Sequence, residues 1–459
     1  MSALASRIEQ PNDLEAFWLP FTPNRAFKKR PRMIARSKDM HYYTPEGRPI
    51  LDACAALWCC NAGHNRQPIV EAIQRQAAEL DFSPAFQFAH PQAFALAARL
   101  AALAPADLEH VFFANSGSEA ADTALKIALA YHNVRGHGSR QRLIGRERAY
   151  HGVGFGGISV GGMVNNRKFF GSLLAGVDHL PATYNREQQA FTKGEPDWGG
   201  HLADDLERIV ALHDASTIAA VIVEPMAGST GVLPAPKGYL QKLRAICDKH
   251  GILLIFDEVI TGFGRLGAAF AAERYGVVPD IITFAKGVTS GYAPLGGVLA
   301  SERLAAPFLE RGASFAHGIT FAGHPVSCAV ALANLDVMED ERICENVRAN
   351  EGELRARLES LRDLDIVGDV RGDGYFVAIE LVKDAGDPSA RFTVEERQQL
   401  VRTSLAPRLL DAGLICRADD RVDPVVQLAP VLTCGTDELA EIESILRTVL
   451  TEVQKERHP

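Results

Sequence analysis

Two residues whose side chains could take part in a reaction, an aspartate and a lysine, each lie at the end of an apolar run. Asp257 follows residues 252–256, and Lys286 follows Ile281–Phe284 after a single alanine. Burial disfavours the charged form of a lysine and so makes its amine a nucleophile at lower pH. Taken singly, Asp257 could be the N-cap of a following helix, and most lysines are surface residues. Their spacing of 29 residues becomes informative in combination with other strand ends.

Three further strand-like runs are also followed by residues that could bind a ligand. A Ser-Gly-Ser loop, residues 116–118, follows His110–Ala114, while Tyr150 comes shortly after residues 142–144 and Glu224 directly after Ile218–Val223. In open parallel sheets, ligands bind at the carboxyl ends of the strands. Five strand ends therefore predict one shared site.

The loop at Ser116, Gly117 and Ser118 precedes a helical pattern at residues 120–131. The free N–H groups of a helix N-terminus can hold a phosphate. Ser116 and Glu119 also fit a capping box, which is a purely structural alternative. The loop lacks the terminal Gly-Lys-Ser/Thr of a Walker A motif, which disfavours an ATPase.

One cofactor, pyridoxal phosphate, requires all of these groups together. It needs a lysine to form an imine and a carboxylate to keep its ring nitrogen protonated, so that the ring acts as an electron sink. It also needs a phosphate cradle and an apolar or aromatic wall on each face of the ring. The sequence offers a candidate for each of these requirements, and it predicts a pyridoxal-phosphate site without a metal.

The elements that must position these residues alternate between strands and helices, which predicts an α/β fold with a mostly parallel sheet. After residue 330 a helical stretch, 327–361, leads into short strands at 365–370 and 375–381. We therefore expect a large domain at 61–330 and a smaller α+β domain at 331–459. Residues 1–60 are expected to pack with the small domain.

Composition excludes several classes of protein. The 459 residues are 47% hydrophobic, which argues against a disordered chain, and the charges sum to 48 − 57 = −9, so no general basic field attracts nucleic acid. We find no apolar run of roughly 18 residues that could cross a membrane, and no secretory signal pattern at residues 1–20. The eight cysteines include no C-x-x-C pair. These features predict a cytoplasmic protein.

The motifs resemble the class III pyridoxal-phosphate aminotransferases of fold type I, and among them most closely the β-alanine–pyruvate and other ω-amino-acid–pyruvate transaminases. The resemblance covers nearly the whole chain. It rests on residues 115–119, 150–152, 224–225, 255–265, 279–287 and 317–325, with support from 57–59, 83–88 and 416–417.

The resemblance implies a role for each cofactor residue. Lys286 binds the cofactor and then transfers a proton as an acid and base, while Asp257 pairs with the ring nitrogen. The remaining residues implied to contact the cofactor are Ser116, Gly117 and Ser118 at the phosphate, Tyr150 and Val259 on the two ring faces, Glu224 near the ring hydroxyl, and Thr320 at the phosphate of the other subunit. The family thus implies a homodimer with shared active sites, and a tetramer is also possible.

The resemblance also implies a substrate pocket. Its walls are Phe21, Trp58, Phe86 and Tyr150, and Arg417 grips a substrate carboxylate in a bidentate pair, assisted by Gln427. On composition alone, Trp58 and Phe86 could equally be core residues. An ordinary ion pair with Asp419 or Asp420 is the alternative for Arg417.

One departure from the family pattern concerns the amino acceptor. Ornithine- and GABA-type relatives carry a glutamate in the segment after Glu-Pro that can hold the switching arginine aside, and here that segment reads Met226-Ala227-Gly228-Ser229. Ser229 cannot form that salt bridge, so pyruvate is the expected acceptor and 2-oxoglutarate a poor one. The expected reaction is transfer of an amino group from an ω-amino acid or terminal amine to pyruvate. An aminomutase, a decarboxylating transaminase and a catalytically silent cofactor-binding protein remain alternatives.

Overall fold

The computed structural model describes residues 14–309, 315–387 and 390–457. Within these ranges the strands are β1 (Arg36–Lys38), β2 (His41–Tyr43), β3 (Pro49–Asp52), β4 (His110–Ala114), β5 (Arg142–Arg146), β6 (Val177–Leu180), β7 (Ile218–Val223), β8 (Met226–Ala227), β9 (Leu233–Pro234), β10 (Leu253–Asp257), β11 (Ile281–Phe284), β12 (Gly296–Ala300), β13 (Val367–Asp373), β14 (Phe376–Leu381), β15 (Leu414–Ile415), β16 (Arg417–Asp419) and β17 (Val425–Leu428).

Seven of these strands form the central sheet, in the order β4-β12-β11-β10-β7-β5-β6. β12 runs antiparallel to both of its neighbours, and the other pairings are parallel. Every residue of β7, β10, β11 and β12 is buried. Strands that are apolar throughout are typical of a parallel sheet covered by helices on both faces.

Helices cover this sheet and connect its strands. The α-helices of four or more residues, apart from the irregular segment Ala55–Trp58, are Asn24–Lys29, Gln67–Glu79, Pro91–Leu103, Gly117–Val134, Phe155–Val160, Arg186–Gln189, Asp205–His213, Tyr239–His250, Ala271–Tyr275, Glu302–Leu309, Pro325–Asp340, Ile343–Glu359, Val394–Gln398, Ala406–Asp411 and Thr436–Arg457. Helix Gly117–Val134 buries Ala124, Leu125 and Ala128 in one apolar cluster with sheet residues such as Val298.

Two four-stranded sheets lie outside the central one, in addition to the short antiparallel pair of β8 and β9. β1, β2 and β3 form an antiparallel sheet that β15, from the C-terminal part of the chain, joins in parallel to β3. β13, β14, β17 and β16 form the second sheet, and all its pairings are antiparallel. One apolar cluster spans both small sheets and includes Leu51, Val370 and Leu414. The hydrogen-bonded pairing of β3 with β15 joins the N-terminal strands to the C-terminal ones.

The predicted α/β class with a mostly parallel sheet is confirmed, with local corrections. β10 ends at Asp257 and begins at Leu253, one residue later than predicted. Helix Tyr239–His250 begins directly after Gly238, because Gly238 has φ +77° and cannot belong to a right-handed helix. The stretch 327–361 holds two helices and a short 3₁₀ segment, because Arg342 has φ 51° and interrupts the helical backbone. The domain division stays a prediction.

No helix among the described residues is both long enough and apolar enough to span a membrane.

Candidate active site

A cavity of about 340 Å³ lies at the carboxyl ends of the central strands. Eight of the residues predicted to contact a cofactor line it, and they come from five separate strand ends: Ser116, Gly117, Ser118, Tyr150, Glu224, Asp257, Val259 and Lys286. Cavities of this size suit small ligands and cofactors. The structure therefore brings together the residues that the sequence places at successive strand ends.

Lys286 follows β11 and has a left-handed backbone with φ 48°. Burial lowers the pKa of its amine, while the neighbouring Cys59 and the carboxylates of Asp257 and Glu224 oppose this shift. A lysine with a lowered pKa carries more of the neutral, nucleophilic amine at a given pH.

Asp257 is the last residue of β10, and its carboxylate is held on both sides. Its Oδ2 lies 2.7 Å from Nδ1 of His151, and its Oδ1 accepts a hydrogen bond from the backbone N–H of Val259 at 3.2 Å. Asp257 is not the helix N-cap that the sequence left as an alternative, because the residues after it form turns and no helix begins there; the contact with Val259 is an Asx turn. His151 is buried, and its other ring nitrogen, Nε2, has no hydrogen-bond partner among the described residues.

His151 is a residue whose role the sequence reasoning did not predict. It belongs to the motif at 150–152, in which only Tyr150 was assigned a role. The available signal was its position beside Tyr150 at a strand end. Its pairing with Asp257 depends on a contact between residues 106 positions apart, which the motif does not encode.

The Ser-Gly-Ser loop begins the 18-residue helix Gly117–Val134, whose N-terminus lies at the cavity. Oγ of Ser116 accepts from the backbone N–H of Glu119 at 3.2 Å, so Ser116 is also the N-cap. The carboxylate of Glu119 reaches back to the N–H of Asn115 at 2.7 Å. The capping and anion-binding interpretations are compatible, because one cap leaves other N–H groups of the first turn free.

The absence of a side chain at Gly117 has a steric reason. A Cβ at Gly117 would lie 2.8 Å from Cγ1 of Val259, which is closer than real Cβ contacts. The helix N-terminus and the segment after β10 therefore approach each other closely at the cavity. The next residue, Ser118, is hydrogen-bonded to a different segment, because its Oγ accepts from the N–H of Val153 at 3.1 Å.

Glu224 joins two loops of the site. One of its carboxylate oxygens accepts from the N–H of Tyr150 at 3.0 Å and the other from the N–H of Gly228 at 3.0 Å. Burial raises the pKa of this carboxyl group, and the nearby His151 acts in the opposite direction. Burial also raises the pKa of Tyr150, whereas Arg421 and Arg417 lower it.

Trp58 and Arg417 lie next to Lys286. The guanidinium Cζ of Arg417 lies 4.9 Å from the centroid of the Trp58 ring, and Nζ of Lys286 lies 5.8 Å from it. Trp58 is buried, and it also makes an edge contact with Phe376 at 6.1 Å. Nε of Arg417 donates to Asp419 at 3.3 Å, so the ion pair considered as an alternative is present.

Gln427 lies opposite Arg417 in the register of β16 and β17. It is fully buried, and neither its amide oxygen nor its amide nitrogen has a hydrogen-bond partner among the described residues. A buried amide without partners is costly, so it needs an explanation such as a water or a ligand.

Six predicted site residues do not line the cavity: three that are buried or half-buried, Trp58, Arg417 and Gln427, and three that are exposed. Phe21 is 78% exposed, Phe86 is 53% exposed and Thr320 is also exposed. None of them lines the cavity. Phe86 lies close to the segment that carries Thr320, because a Cβ at Gly318 would lie 2.6 Å from the Phe86 ring.

The donor set of this cavity fits pyridoxal phosphate. A lysine amine, a carboxylate held by His151 and a helix N-terminus suited to a phosphate all line one cavity. The described residues hold no group of three or more histidine, cysteine or acidic side chains arranged for a metal ion.

A family model described as aminotransferase class-III matches residues 24–450, which is most of the chain. The chain belongs to the class III aminotransferase family. It is therefore an aminotransferase with the fold of that pyridoxal-phosphate-dependent family. The resemblance deduced from the sequence motifs is confirmed.

Named relatives of this class III aminotransferase support the assignment. It is 53% identical over 445 residues to the omega-aminotransferase of Caulobacter vibrioides, covering 96% of this chain and 98% of that protein. It is 46% identical to the beta-alanine–pyruvate aminotransferase of Pseudomonas aeruginosa, over 84% of this chain and 88% of that protein. The crystal structure of an (S)-enantioselective omega-transaminase from Thermomicrobium roseum superposes with a TM-score of 0.89 at 36% identity, covering 95% and 96% of the two chains.

Proposed function

We propose that this aminotransferase transfers an amino group from an ω-amino acid or terminal amine, such as β-alanine, to pyruvate. The products are an aldehyde or ketone and L-alanine. The observation that carries the proposal is the meeting of Lys286, Asp257 and a helix N-terminus at one cavity, with Arg417 and Lys286 both within 6 Å of the centre of the Trp58 ring. The names of the Caulobacter and Pseudomonas relatives support the same reaction class.

The proposed cofactor is pyridoxal phosphate, which supplies an electron sink when bound. Ser116, Gly117 and Ser118 bind its phosphate at the start of helix Gly117–Val134. Asp257, oriented by His151, keeps a proton on the ring nitrogen. Glu224, which holds the backbone of Tyr150, would lie on the side of the ring hydroxyl, and Tyr150 and Val259, which both line the cavity, would cover the two ring faces.

Lys286 has two successive tasks in this reaction. Its amine would hold the cofactor, and the same amine would take up and return a proton at the reacting carbon of the substrate. Both tasks need the neutral amine, and burial shifts the pKa of Lys286 in that direction.

Arg417 is proposed to bind the carboxylate of β-alanine and of pyruvate. Its present partner is Asp419, at 3.3 Å through Nε, and Asp419 also accepts from Nε of Arg421 at 2.8 Å. Asp419 therefore keeps a cationic partner when Arg417 turns to a substrate. The unpartnered amide of Gln427, on the neighbouring strand, can supply a further hydrogen bond.

Pyruvate is the proposed acceptor rather than 2-oxoglutarate. Ser229 contributes its backbone oxygen to Arg421 and has no carboxylate to offer Arg417. Without such a carboxylate, this segment cannot hold Arg417 aside while a substrate with a second carboxylate, such as 2-oxoglutarate, binds. Comparable kcat/KM values for the two acceptors would contradict this part of the proposal.

The active form is proposed to be a cytoplasmic homodimer, or a tetramer built from such dimers, that shares residues between sites. The surface near Thr320 is rich in exposed aromatic side chains, and Phe82 and Phe321 are in edge contact at 5.6 Å. Large exposed apolar patches mark interfaces. In the dimer, Thr320 would reach the phosphate of the other subunit, and Phe21 and Phe86 would complete a substrate pocket.

Absorbance spectroscopy of the protein with pyridoxal phosphate tests the function. We expect a band at roughly 400 nm from the lysine-bound cofactor, its loss on adding β-alanine and its return on adding pyruvate. Lys286→Ala should lack the band, whereas Lys242→Ala, at a surface ion pair, should keep it.

The same experiment separates the alternatives. Loss of the band without its return on adding pyruvate would favour an aminomutase or a decarboxylating enzyme. A band that no amine donor removes would favour a silent binding protein. Absence of the band in the wild type, or its persistence in Lys286→Ala, would contradict the proposal.

A further inference from the structure

Residues 53–60, which we name the Trp58 loop, connect β3 to the cavity and have an unusual backbone. Ala55, Ala56 and Trp58 have φ values of 44°, 63° and 62°. Left-handed backbone is unfavourable for residues other than glycine, because the Cβ crowds the following carbonyl. Three such residues within four positions do not form without strong support from the surrounding structure.

The carboxylate of Asp52 provides that support at the start of the loop. Its Oδ1 accepts from the N–H of Cys54 at 3.0 Å, and its Oδ2 accepts from the N–H of Ala56 at 2.6 Å. Oδ2 also lies 2.8 Å from Nε2 of His64. Asp52 is fully buried and His64 is 5% exposed. Hydrogen bonds to a buried carboxylate are among the stronger ones in proteins.

His64 is itself fixed in place. Its backbone exchanges two hydrogen bonds with Asp39, at 2.7 and 2.9 Å, and its ring packs against Tyr42 with the centroids 4.3 Å apart. Asp52 and His64 therefore form a rigid buried pair beneath the loop. Neither residue lines the cavity or takes part in the mechanism described above.

The position of the Trp58 ring depends on this backbone. The indole Nε1 has no hydrogen-bond partner among the described residues, so no polar contact of its own fixes the ring. The ring nevertheless lies within 6 Å of both Lys286 Nζ and Arg417 Cζ. A change in the loop backbone would move the ring relative to both groups.

We propose that the Asp52–His64 pair is a specificity-determining positioning element, which holds the Trp58 loop in its left-handed conformation and so limits the size of the amine admitted beside Lys286. This inference rests on the proposed function, because it assigns a boundary to that substrate pocket. Asp52 and His64 act through Trp58 and contact no reacting atom.

The first test measures the loop without any cofactor or activity. In a Trp18→Phe, Trp198→Phe background, Trp58 is the one remaining tryptophan of the three in the sequence. We expect Asp52→Asn and His64→Ala to shift its fluorescence to longer wavelength and to weaken its near-ultraviolet circular dichroism. His64→Gln keeps an N–H donor for Asp52 and should restore most of both signals.

A matched control is Asp369→Asn. Asp369 is also fully buried and also accepts from a backbone N–H, that of Phe191, but its side-chain partners are Tyr184 and Arg371, which lie outside the Trp58 loop. It should lower the thermal midpoint without changing the Trp58 signals. Unchanged Trp58 signals in both Asp52→Asn and His64→Ala would overturn the inference.

The second test measures substrate choice in the holoenzyme, as the ratio of kcat/KM for a bulky arylalkylamine to that for β-alanine. We expect Asp52→Asn and Trp58→Ala each to raise this ratio about tenfold or more. If Asp52 acts through Trp58, then Asp52→Asn should have no further effect in the Trp58→Ala background. An unchanged ratio in Asp52→Asn, or an equal rise in both backgrounds, would overturn the inference.

The two tests distinguish a failure of the proposed function from a failure of the role inferred for the Asp52–His64 pair. A wild-type protein that lacks transaminase activity would contradict the proposed function, while the Trp58 signals would still report on the Asp52–His64 pair. An active enzyme with unchanged Trp58 signals and unchanged specificity would contradict the pair's role alone. His64→Gln, as the conservative variant, guards against a general loss of folding.

Discussion

At the scale of single residues, the site depends on carboxylates that are held by more than one partner. Asp257 is fixed by His151 and by the backbone of Val259, and Glu224 by two backbone N–H groups. A side chain with several partners keeps one orientation, which is what a group paired to a cofactor ring needs. The pairing of His151 with Asp257 can be tested directly.

We expect His151→Ala to lower kcat/KM for β-alanine by about 10- to 100-fold, since a hydrogen bond to a charged group contributes about 1.5–3 kcal/mol. The physical reason is that Asp257 loses the partner of its Oδ2. Steady-state kinetics with pyruvate as acceptor measures this. His250→Ala removes a surface histidine–carboxylate pair with Glu207 and should change the value less than twofold. An equal loss in both variants would rule out a specific role for His151.

At the scale of elements, the cavity exists because a helix N-terminus and the segment after a strand approach closely. Gly117, at the start of its helix, faces Val259, two residues beyond the end of β10. A side chain at position 117 and the valine at position 259 cannot be accommodated together. Steric fit thus sets the distance between the phosphate end and the ring end of the proposed cofactor site.

We expect Gly117→Ala to weaken pyridoxal-phosphate binding about tenfold or more, because the new Cβ would lie 2.8 Å from Val259 and push the helix N-terminus away. An absorbance titration of apoenzyme measures the dissociation constant. The double variant Gly117→Ala, Val259→Ala relieves the clash and should recover part of the affinity. If the double variant binds no better than Gly117→Ala, the clash does not explain the loss.

Another contact between elements predicts a dependence of stability on pH. Glu258 follows β10 and is fully buried, where it accepts from Ala272 N–H at 2.8 Å, from Ala271 N–H and from Thr261 Oγ1 at 3.0 Å. Burial raises its pKa to about 7 in spite of these donors. An acid with a raised folded pKa favours the folded state at low pH, and this contribution is lost as pH rises from about 4.5 to about 7.

We expect the free energy of unfolding of the wild type to fall by about 3 kcal/mol relative to Glu258→Gln between pH 4.5 and pH 8, from a shift of about 2.5 pKa units. The glutamine stays neutral and does not titrate, although its amide N–H₂ faces donors and lowers stability at every pH. Denaturant unfolding of both proteins at the two pH values measures the difference. A difference that does not change with pH would show that Glu258 does not titrate in this range.

At the scale of the whole molecule, one chain leaves an aromatic surface uncovered. Phe321, at 57% exposure, contacts Phe82 and His324, and Phe86 lies beside Gly318 in the same part of the chain. Thr320 and Phe86, which the family resemblance assigns to the site, belong to this surface and not to the cavity of their own chain. In the proposed dimer, a second copy would cover this surface, and Thr320 and Phe86 would reach the cavity of that second copy.

We expect Phe321→Asp to shift the protein towards monomer in sedimentation-velocity experiments and to lower the cofactor affinity, because a charge would be buried in the proposed interface. Leu212→Asp replaces another exposed apolar residue, 65% exposed, on helix Asp205–His213. It should alter neither the sedimentation coefficient nor the affinity. A wild-type monomer with full cofactor affinity would contradict the shared-site dimer.

The sequence by itself determined which residues stand at the strand ends. Runs such as Ile218–Val223 and Ile281–Phe284 are recognisable because buried strands are continuously apolar, and the carboxyl ends of parallel strands meet at one edge. Lys286, Asp257 and the Ser116 loop were therefore predicted to meet, and they do. These predictions depend on local patterns and one general rule of sheet topology.

The tertiary structure alone decided how loops from distant parts of the chain contact one another. His151 with Asp257, Asp52 beneath the Trp58 loop, and the exposure of Phe21 and Thr320 had no local signal. Such contacts depend on register, on left-handed backbone at residues other than glycine, and on surfaces that a second chain would cover. Periodicity does not record these features, because each arises from packing between segments far apart in sequence.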